Sequence, residues 1–593
     1  MEIKNIYQHK KQEFATKSSA SKGRLRQFSL LRMLSFLAVV AGVYFFINDM
    51  SIWAMFCFFP GILAFLCFVV FYENEKTRMR FYLELKKIQE EELKVLGGDF
   101  SFFDDGNEFN HPDHSYANDM DVFGPASVFQ YLNRTGTASG ASFLADILAT
   151  SEVNASRILE RQALCKELAE DLEWTQEYQA STRLCAASLK DKQQLEHWMG
   201  QENRYYGKPI YKILLLILPL TTLSILSLTV FDVITDWVWA NTFMIGQLSF
   251  VGMHIKKNNH THFLLSKRHD LLKEYARLLQ MIESKSFSSV LGKQYQEQIK
   301  KDGESASVQL KKLSSIVQWF DNRLNVIIAI GANALFLFDI QCVYKLEKWK
   351  YAYGTIVPSY FNSIAAIDAN IGLARMAVNE PDFCFPKPGE QYQAKALGHP
   401  LLNATARVCN DLSVKNGQFV IITGSNMSGK STFLRTVGVN IVLAQIGAPV
   451  CADEFTFSPA ALFSGMRAND SLDENASYFY AELKRLRFIV EALEKKEPML
   501  VLLDEILRGT NSLDKQKGSL AFVRKLVNLG ATGMMATHDL VLGTLAEETP
   551  DKVLNHCFEV ETTEQGLEFD YKLRNGVCEN LNAVYLMKAM GIM

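Results

Sequence analysis

Apolar residues in this chain are bunched rather than spread evenly. Residues 33–47 and 52–72 are two apolar runs parted by a short polar stretch, Asn48-Asp49-Met50-Ser51. Residues 213–231 and 237–255 form a second pair around a turn holding Asp232 and Asp236. A helix of about 20 residues, at 1.5 Å rise, covers roughly 30 Å, the thickness of a bilayer's hydrocarbon core. The run 33–47 is shorter and must borrow Leu30 and Leu31 while Arg32 snorkels towards water. Two transmembrane helical hairpins, four spans in all, are therefore expected. A fifth apolar stretch, 324–338, contains Asn325 and Asn333 and runs on into polar helical sequence at 339–350, so a buried soluble helix is expected there.

The rest of the first two thirds reads as helix. Residues 73–96 are charged and helical, and 99–121 are loop-like and rich in Asp, Asn and His. From 125 to 206 apolar positions such as Ile158, Leu159, Leu164 and Leu168 recur at three- and four-residue spacing. That character resumes at 262–283, 305–322 and 359–379. Residues 1–28 are polar, basic and expected to be loosely ordered. Pro386, Pro388 and Gly389 mark a boundary. Beyond it, short buried strands at 417–423, 499–503 and 533–537 are each followed by a polar loop and a helix, the pattern of a parallel sheet. A chain of 593 residues exceeds one core. The expected units are a basic tail (1–28), a first hairpin (29–72), a helix and connector (73–124), helical units at 125–206 and 256–386 flanking a second hairpin (207–255), and an α/β domain (387–593).

Charge orients the hairpins. Lys10, Lys11, Lys17, Lys22, Arg24 and Arg26 precede the first, and Lys76, Arg78 and Arg80 follow it. Lys208 and Lys212 precede the second, Lys256 and Lys257 follow it, and both turns are acidic or neutral. This positive-inside pattern predicts a multi-pass inner-membrane protein with every large segment in the cytoplasm. A cleaved signal peptide is not expected, because a second apolar run follows the first at once. The net charge of −3 gives no global attraction to nucleic acid. The ten cysteines show no metal or CxxC spacing and are expected to be free thiols.

One segment carries explicit chemistry. Gly424, Ser425, Asn426, Met427, Ser428, Gly429, Lys430, Ser431 and Thr432 fit GxxxxGK[ST] between a strand and the helix 433–444. Backbone N–H groups of such a loop surround phosphate oxygens, and the helix N-terminus adds a favourable dipole. Lys430 would neutralise the β- and γ-phosphates of ATP, and Ser431 would ligate Mg²⁺. A second apolar strand ends in Asp504-Glu505. Asp504 would hold Mg²⁺ and Glu505 would polarise the attacking water. His538, after the third strand, is placed to contact the γ-phosphate. By contrast, His111, His114, Asp119 and Asp121 match no metal-ligand spacing and read as a polar loop.

These residues also resemble a known family. Thr423-GSNMSGKST, Asp504-EILRGTNSLD and Ala536-Thr537-His538 are similar to TGPNMGGKST, DEIGRGT-(S/T)-x-x-D and ATH of the MutS family of DNA mismatch-repair ATPases. Asp470-Ser471-Leu472, Ser477-Tyr478-Phe479 and Glu482 fall at the spacing of that family's intervening signature. Upstream, 132–140 (LNRTGTASG), 364–374, His399-Pro400-Leu401 and Asn410-Asp411 resemble its core-lever region and the lead-in to its ATPase domain. The resemblance implies a P-loop ATPase of MutS/ABC type behind an all-α core and lever. It also implies a homodimer with two composite ATP sites, in which Ser477 reaches ATP bound by the partner subunit, and DNA as the ligand.

Some positions depart from the pattern. Ser425 and Ser428 replace Pro and Gly, Leu507 replaces Gly and Ser471 replaces Asp; none removes a phosphate or metal ligand. No Phe-x-Glu wedge within a mismatch-recognition domain is found, because residues 1–98 hold a basic tail, an apolar hairpin and one helix, so mismatch discrimination by that route is not expected. Between Lys256 and Lys312 twelve Lys/Arg face six Asp/Glu. This is either a DNA-contacting patch or a positive-inside flank with a solvated face. The leading expectation is a membrane-anchored, dimeric MutS-like ATPase acting on mismatched, damaged or branched DNA. The alternatives are an ABC-like transport ATPase, against which the missing LSGGQ counts, and a membrane tether acting on a protein partner.

Overall fold

The computed structural model describes residues 2–49, 52–185, 189–266, 268–301, 303–466, 478–507, 511–563 and 566–578. The chain opens with two long helices packed antiparallel, α1 (Glu2–Asp49) and α2 (Ile52–Val95). The loose tail expected at 1–28 is instead the first half of α1. Tyr7, Phe14, Ser18 and Ser21 are buried, and they recur at seven-, four- and three-residue spacing along one face. Two of the four are serines, so hydropathy alone could not reveal the stripe. Arg24 Nε lies 2.9 Å from Glu75 and Lys11 Nζ 3.2 Å from Glu90.

In the apolar half the two helices approach closely at glycine. A Cβ on Gly42 would stand 2.7 Å from the Phe58 backbone nitrogen, and one on Gly61 3.1 Å from the Val39 backbone nitrogen. Small residues are what allow two helix backbones to approach so closely. Phe36, Phe46, Phe56 and Leu63 point outward and are exposed. The Arg32 guanidinium stacks 4.8 Å above the Tyr72 ring at the edge of this region.

A helical body follows, comprising α3 (Val128–Leu132), α4 (Ala138–Leu148), α5 (Ala155–Glu170), α6 (Leu172–Leu184) and α7 (Leu189–Gly200). Ser127, Thr137, Asn154 and Asp171 cap four of these helices through their side chains. The second apolar pair is α8 (Pro209–Val230) and α9 (Trp237–Leu265). The body resumes with α10 (His269–Ser284), α11 (Val290–Gln298), α12 (Ala306–Asp321), α13 (Val326–Phe336), α14 (Phe338–Tyr353) and α15 (Val357–Asn379). Helix α15 is buried along most of its length and packs on α4, α5 and α6.

Among the described residues three helices, α1, α2 and α8, are long and apolar enough to cross a membrane, against the four spans expected. Helix α9 has the length, at 29 residues, but its polar residues lower its hydropathy. Two of them, Gln247 and His254, turn towards α8. Gln247 Nε2 donates to the Leu218 carbonyl at 2.9 Å and to Thr222 Oγ1, and His254 Nε2 lies 3.2 Å from the Tyr211 hydroxyl. The outward face carries Trp237, Val238, Trp239, Ile245 and Met253, all exposed.

The buried soluble helix expected at 324–338 is not found. Helix α13 exposes Val326, Ile327 and Ile330, with Ile327 83% accessible. A left-handed Leu337 (φ 50) then bends the chain by 79° into α14. The two asparagines that suggested a soluble helix have local duties. Asn325 caps the helix through the amides of Ile327 and Ile328, and buried Asn333 accepts from the Asp339 amide at 2.9 Å.

The C-terminal part contains two main sheets. One orders β1 (Lys387–Pro388), β5 (Glu454–Phe457), β2 (Gln391–Leu397) and β3 (Asn410–Lys415). The larger sheet contains β4 (Phe419–Gly424), β6 (Ala461–Gly465), β7 (Met499–Asp504), β8 (Thr532–Thr537), β9 (Val553–Phe558) and β12 (Leu573–Asn575), in the order β12-β9-β4-β8-β7-β6. All neighbours in it are parallel except β12 with β9. A two-stranded ribbon, β10 (Glu561–Thr563) with β11 (Gly566–Glu568), lies between β9 and β12 in sequence. Strands β4, β7 and β8 are buried at every residue, as expected of a sheet covered on both faces. Helices α16 (Lys430–Gln445), α17 (Tyr478–Glu494) and α18 (Ser512–Asn528) connect them.

A buried polar knot ties the first hairpin to the helical body. Glu92 of α2 accepts from Arg134 Nε at 2.7 Å and from Asn379 Nδ2 at 2.8 Å, and Arg375 Nε lies 3.6 Å away. Tyr7 of α1 donates its hydroxyl proton to Asn379 Oδ1 at 2.8 Å. Burial alone would raise the Glu92 pKa, but Arg134 and Arg375 outweigh it and hold the carboxyl below its ordinary value.

Candidate nucleotide-binding site

Strands β4, β8 and β7 are adjacent and parallel, so their C-terminal ends share one edge of the sheet. Residues far apart in sequence therefore meet there: the 424–432 loop after β4, His538 after β8, and Asp504-Glu505 at the end of β7. Ligand sites on such sheets lie at this edge.

Glycine is required at both ends of the loop. Gly424 has φ 155, and a Cβ there would come within 2.8 Å of the Phe558 carbonyl oxygen. Gly429 has φ 102, and its Cβ would press to 3.0 Å on the Tyr571 ring. Helix α16 begins at Lys430, immediately after Gly429, so its free N–H groups face the loop. Lys430 Nζ donates to the carbonyls of Gly424 (3.0 Å) and Ser425 (2.7 Å) and lies 3.5 Å from His538 Nε2. Burial pushes the Lys430 pKa below the usual lysine range, and Asp504 and Glu505 oppose that only in part.

The acidic half closes on the same loop. Ser431 donates its hydroxyl proton to Asp504 Oδ2 at 2.5 Å. Glu505 has φ 47, and its Oε1 lies 2.6 Å from His538 Nε2. These groups line one cleft of about 720 Å³ together with Asn426, Met427, Ser428 and Thr432. Met427 is 81% exposed at the tip of the loop. The structure thus gathers Lys430, Ser431, Asp504, Glu505 and His538 at one place. Ser477, with Asp470, Ser471 and Leu472, lies outside the described residues.

Four residues outside the predicted catalytic and ligand set enter here. Glu482 of α17 accepts from the Leu507 amide at 2.6 Å and so braces the turn after β7. Leu507 has φ 60, which explains the glycine that the MutS pattern carries at this position: only glycine adopts it without strain. Leu507 is nonetheless buried, and Gly518 makes room for it, since a Cβ there would meet Leu507 Cδ1 at 2.7 Å. Tyr571 reaches the cleft because Asn410 holds its carbonyl (3.0 Å) and the Leu573 amide (2.8 Å). His399 also lines the cleft, where burial depresses its pKa to about 4 and keeps it neutral near pH 7. No short-range pattern announces Tyr571, which lies 142 residues beyond Gly429.

The other candidate groups have structural partners. His114 Nε2 lies 2.8 Å from the Ala149 carbonyl, and Asp119 accepts from Ser464 Oγ at 2.7 Å, joining the connector to β6. Among the basic residues of 256–312, Lys285 pairs with Asp171 at 2.7 Å and sits over Trp174. Arg268 binds Asp191, Arg277 covers Phe81 and Lys301 donates to the Ala352 carbonyl. These four cations serve packing between helices rather than one open patch.

The C-terminal part of the chain is similar to known proteins. Residues 420–592 match the family model of MutS domain V. The chain is 31% identical to MutS protein homolog 4 of Homo sapiens over 261 residues, which are 42% of this chain and 26% of that protein. It is 32% identical to the DNA mismatch repair protein MutS of Thermotoga maritima over 236 residues, 39% of this chain and 29% of that protein. With a MutS protein of Thermus thermophilus it shares 33% identity over 234 residues, 39% of this chain and 27% of that protein. The matched segment thus spans under a third of each of these relatives.

Proposed function

Because residues 420–592 match MutS domain V and this part of the chain is 31–32% identical to MutS proteins, we propose that the chain is a MutS-family, membrane-anchored, Mg²⁺-dependent ATPase that works as a dimer and acts on DNA. The observation that carries the ATPase reading is the meeting of Lys430, Ser431, Asp504, Glu505 and His538 at one sheet edge. The residues fit the nucleotide. Gly424 and Gly429 leave a cradle that any Cβ would obstruct, and Lys430 and the α16 N-terminus supply positive charge for phosphates. The donor set also fits magnesium, because the Ser431 hydroxyl and the Asp504 carboxylate are hard oxygen ligands already in contact. Bound there, the ion would neutralise phosphate charge. Glu505 serves as the base that orients water, and His538 holds that carboxylate in place.

Dimerisation and DNA are brought from the family. Ser477 would complete the partner's site, supplying a hydroxyl on the side of the γ-phosphate that Lys430 and Asp504 leave open. Two inactive variants, Lys430→Ala and Ser477→Arg, test this. In a mixed dimer both lesions can fall on one composite site, so mixing should restore part of the activity. Absence of recovery in confirmed heterodimers would exclude action in trans. For DNA, the decisive measurement is the ATPase rate in nanodiscs with and without duplex, branched and single-stranded DNA. Stimulation by one of these is expected, and a rate indifferent to all three, with tight ATP-dependent dimerisation, would favour a membrane tether.

Membrane anchoring rests on α1, α2 and α8. Helices α8 and α9 both return to the same folded body, α9 packing on α7, α12 and α14. A crossing by α8 therefore obliges α9 to cross back, its Gln247 bonded to α8 as polar groups in lipid must be. Full-length protein should stay in the membrane fraction through high-salt and alkaline washes, and release by alkali would refute the anchoring.

A further inference from the structure

Helix α13 has no place in the nucleotide site and is not explained by packing. It is eleven residues long and carries no charged side chain. Val326 and Ile327 are 68% and 83% exposed, and Ile328, Ile330 and Phe336 are exposed as well. Five large apolar groups on so short a helix form a contiguous surface that water would not favour. The surface is continuous with the apolar pair described above, because α13 packs directly against both α9 and α8.

Resting on the membrane reading, we propose that α13 is a lipid-facing helix that lies in the near leaflet of the bilayer beside α8 and α9, both its ends at the water side, and does not cross. Three observations carry this. First, eleven residues of helix reach only about 16 Å, roughly half a hydrocarbon core. Second, the chain returns where it left: Arg323, before the helix, lies 2.8 Å from Asp339, after it, and both are largely buried. Third, backbone groups at both ends find partners within the chain, which matters beside lipid because lipid offers none. Asn325 Oδ1 accepts from the Ile327 and Ile328 amides, the Leu337 amide donates to the Asn333 carbonyl, and Gln341 Nε2 closes the Phe336 carbonyl at 2.8 Å.

Helix α14 does not continue into the membrane. Its Glu347 accepts from the amides of Arg204 (2.8 Å), Tyr205 (2.7 Å) and Tyr206 (2.8 Å), and Lys350 Nζ donates to the Gln201 carbonyl at 2.7 Å. These bonds fix α14 in the polar helical body. The 79° bend at Leu337 thus separates a lipid-facing element from a water-side one.

The test places a photoreactive diazirine side chain at position 327 in the full chain, irradiates native membranes and reads the adducts by mass spectrometry. Position 216 on α8, where Leu216 is 62% exposed, reports the membrane reading. Position 308 on α12, where Val308 is 45% exposed, reports water. Adducts on phospholipid acyl chains at 327 and 216, with none at 308, are expected. Acyl adducts at 216 with only water, headgroup or protein adducts at 327 would overturn the lipid-facing placement of α13 and leave the membrane anchor standing. No acyl adduct at either position would overturn both.

Discussion

Replacing Glu505 by glutamine is expected to leave ATP binding intact and to reduce turnover by about two to four orders of magnitude, the usual contribution of a positioned base. The substitution is nearly isosteric. Glutamine can keep a hydrogen bond to His538 where Glu505 Oε1 now stands 2.6 Å from Nε2. The Ser431–Asp504 contact that would hold the metal is untouched. What is lost is the negative charge that polarises water. Lys430→Ala should behave differently, because Lys430 is the cation built into the floor of the cleft, and it should weaken nucleotide binding itself. Equilibrium binding of a fluorescent ATP analogue, measured beside single-turnover hydrolysis, separates the two variants. Wild-type hydrolysis by Glu505→Gln would show that the water-activating group lies elsewhere.

Glu92→Ala should destabilise the protein by about 3–5 kcal/mol, since removing one partner leaves buried charge uncompensated. Glu92 is the anion shared by Arg134 and Arg375, all three nearly inaccessible to water. The loss should loosen the base of the first hairpin from α15, because Asn379 bridges Glu92 to Tyr7. Lys11→Ala provides the control. Its partner Glu90 is well exposed, so the change is expected to be within about 1 kcal/mol. Thermal unfolding in detergent, with proteolysis of α1 as a local readout, distinguishes them. The pH dependence has a definite sign. A carboxyl held below its ordinary value of 4.5 in the folded state stabilises the fold above that value. The contribution is lost as pH falls through the lower folded value. Glu92→Ala should therefore flatten the acid limb of the stability profile, and an unchanged limb would mean that the knot titrates through another group.

Much of this protein is local and so was readable from sequence. The loop from Gly424 to Thr432 needs glycine at fixed positions for reasons of backbone geometry, and its lysine and serine follow at once in α16. The strands ending at Gly424, Asp504 and Thr537 appear as short apolar runs because burial on both faces demands it. Long apolar runs likewise announce α1, α2 and α8, since their lipid-length hydropathy needs no partner to be seen.

The tertiary structure decided what depends on a neighbour. The first 28 residues looked loose because their buried face is built from Tyr7, Phe14, Ser18 and Ser21, two of them polar, and becomes a stripe only against α2, α6 and α15. Helix α9 looked less apolar than its partner because Gln247 and His254 face α8 and its flank, a direction that hydropathy averages away. Helix α13 looked soluble because Asn325 and Asn333 read as polar, although one caps its own helix and the other braces the turn beneath it. Tyr571 and Glu482 reach the nucleotide region only through the pairing of β12 with β9 and the packing of α17 on β7. Sequence spacing reports the bonds a segment makes with itself. Where a side chain's partner is supplied by a distant element, only the assembled fold shows which of its properties counts.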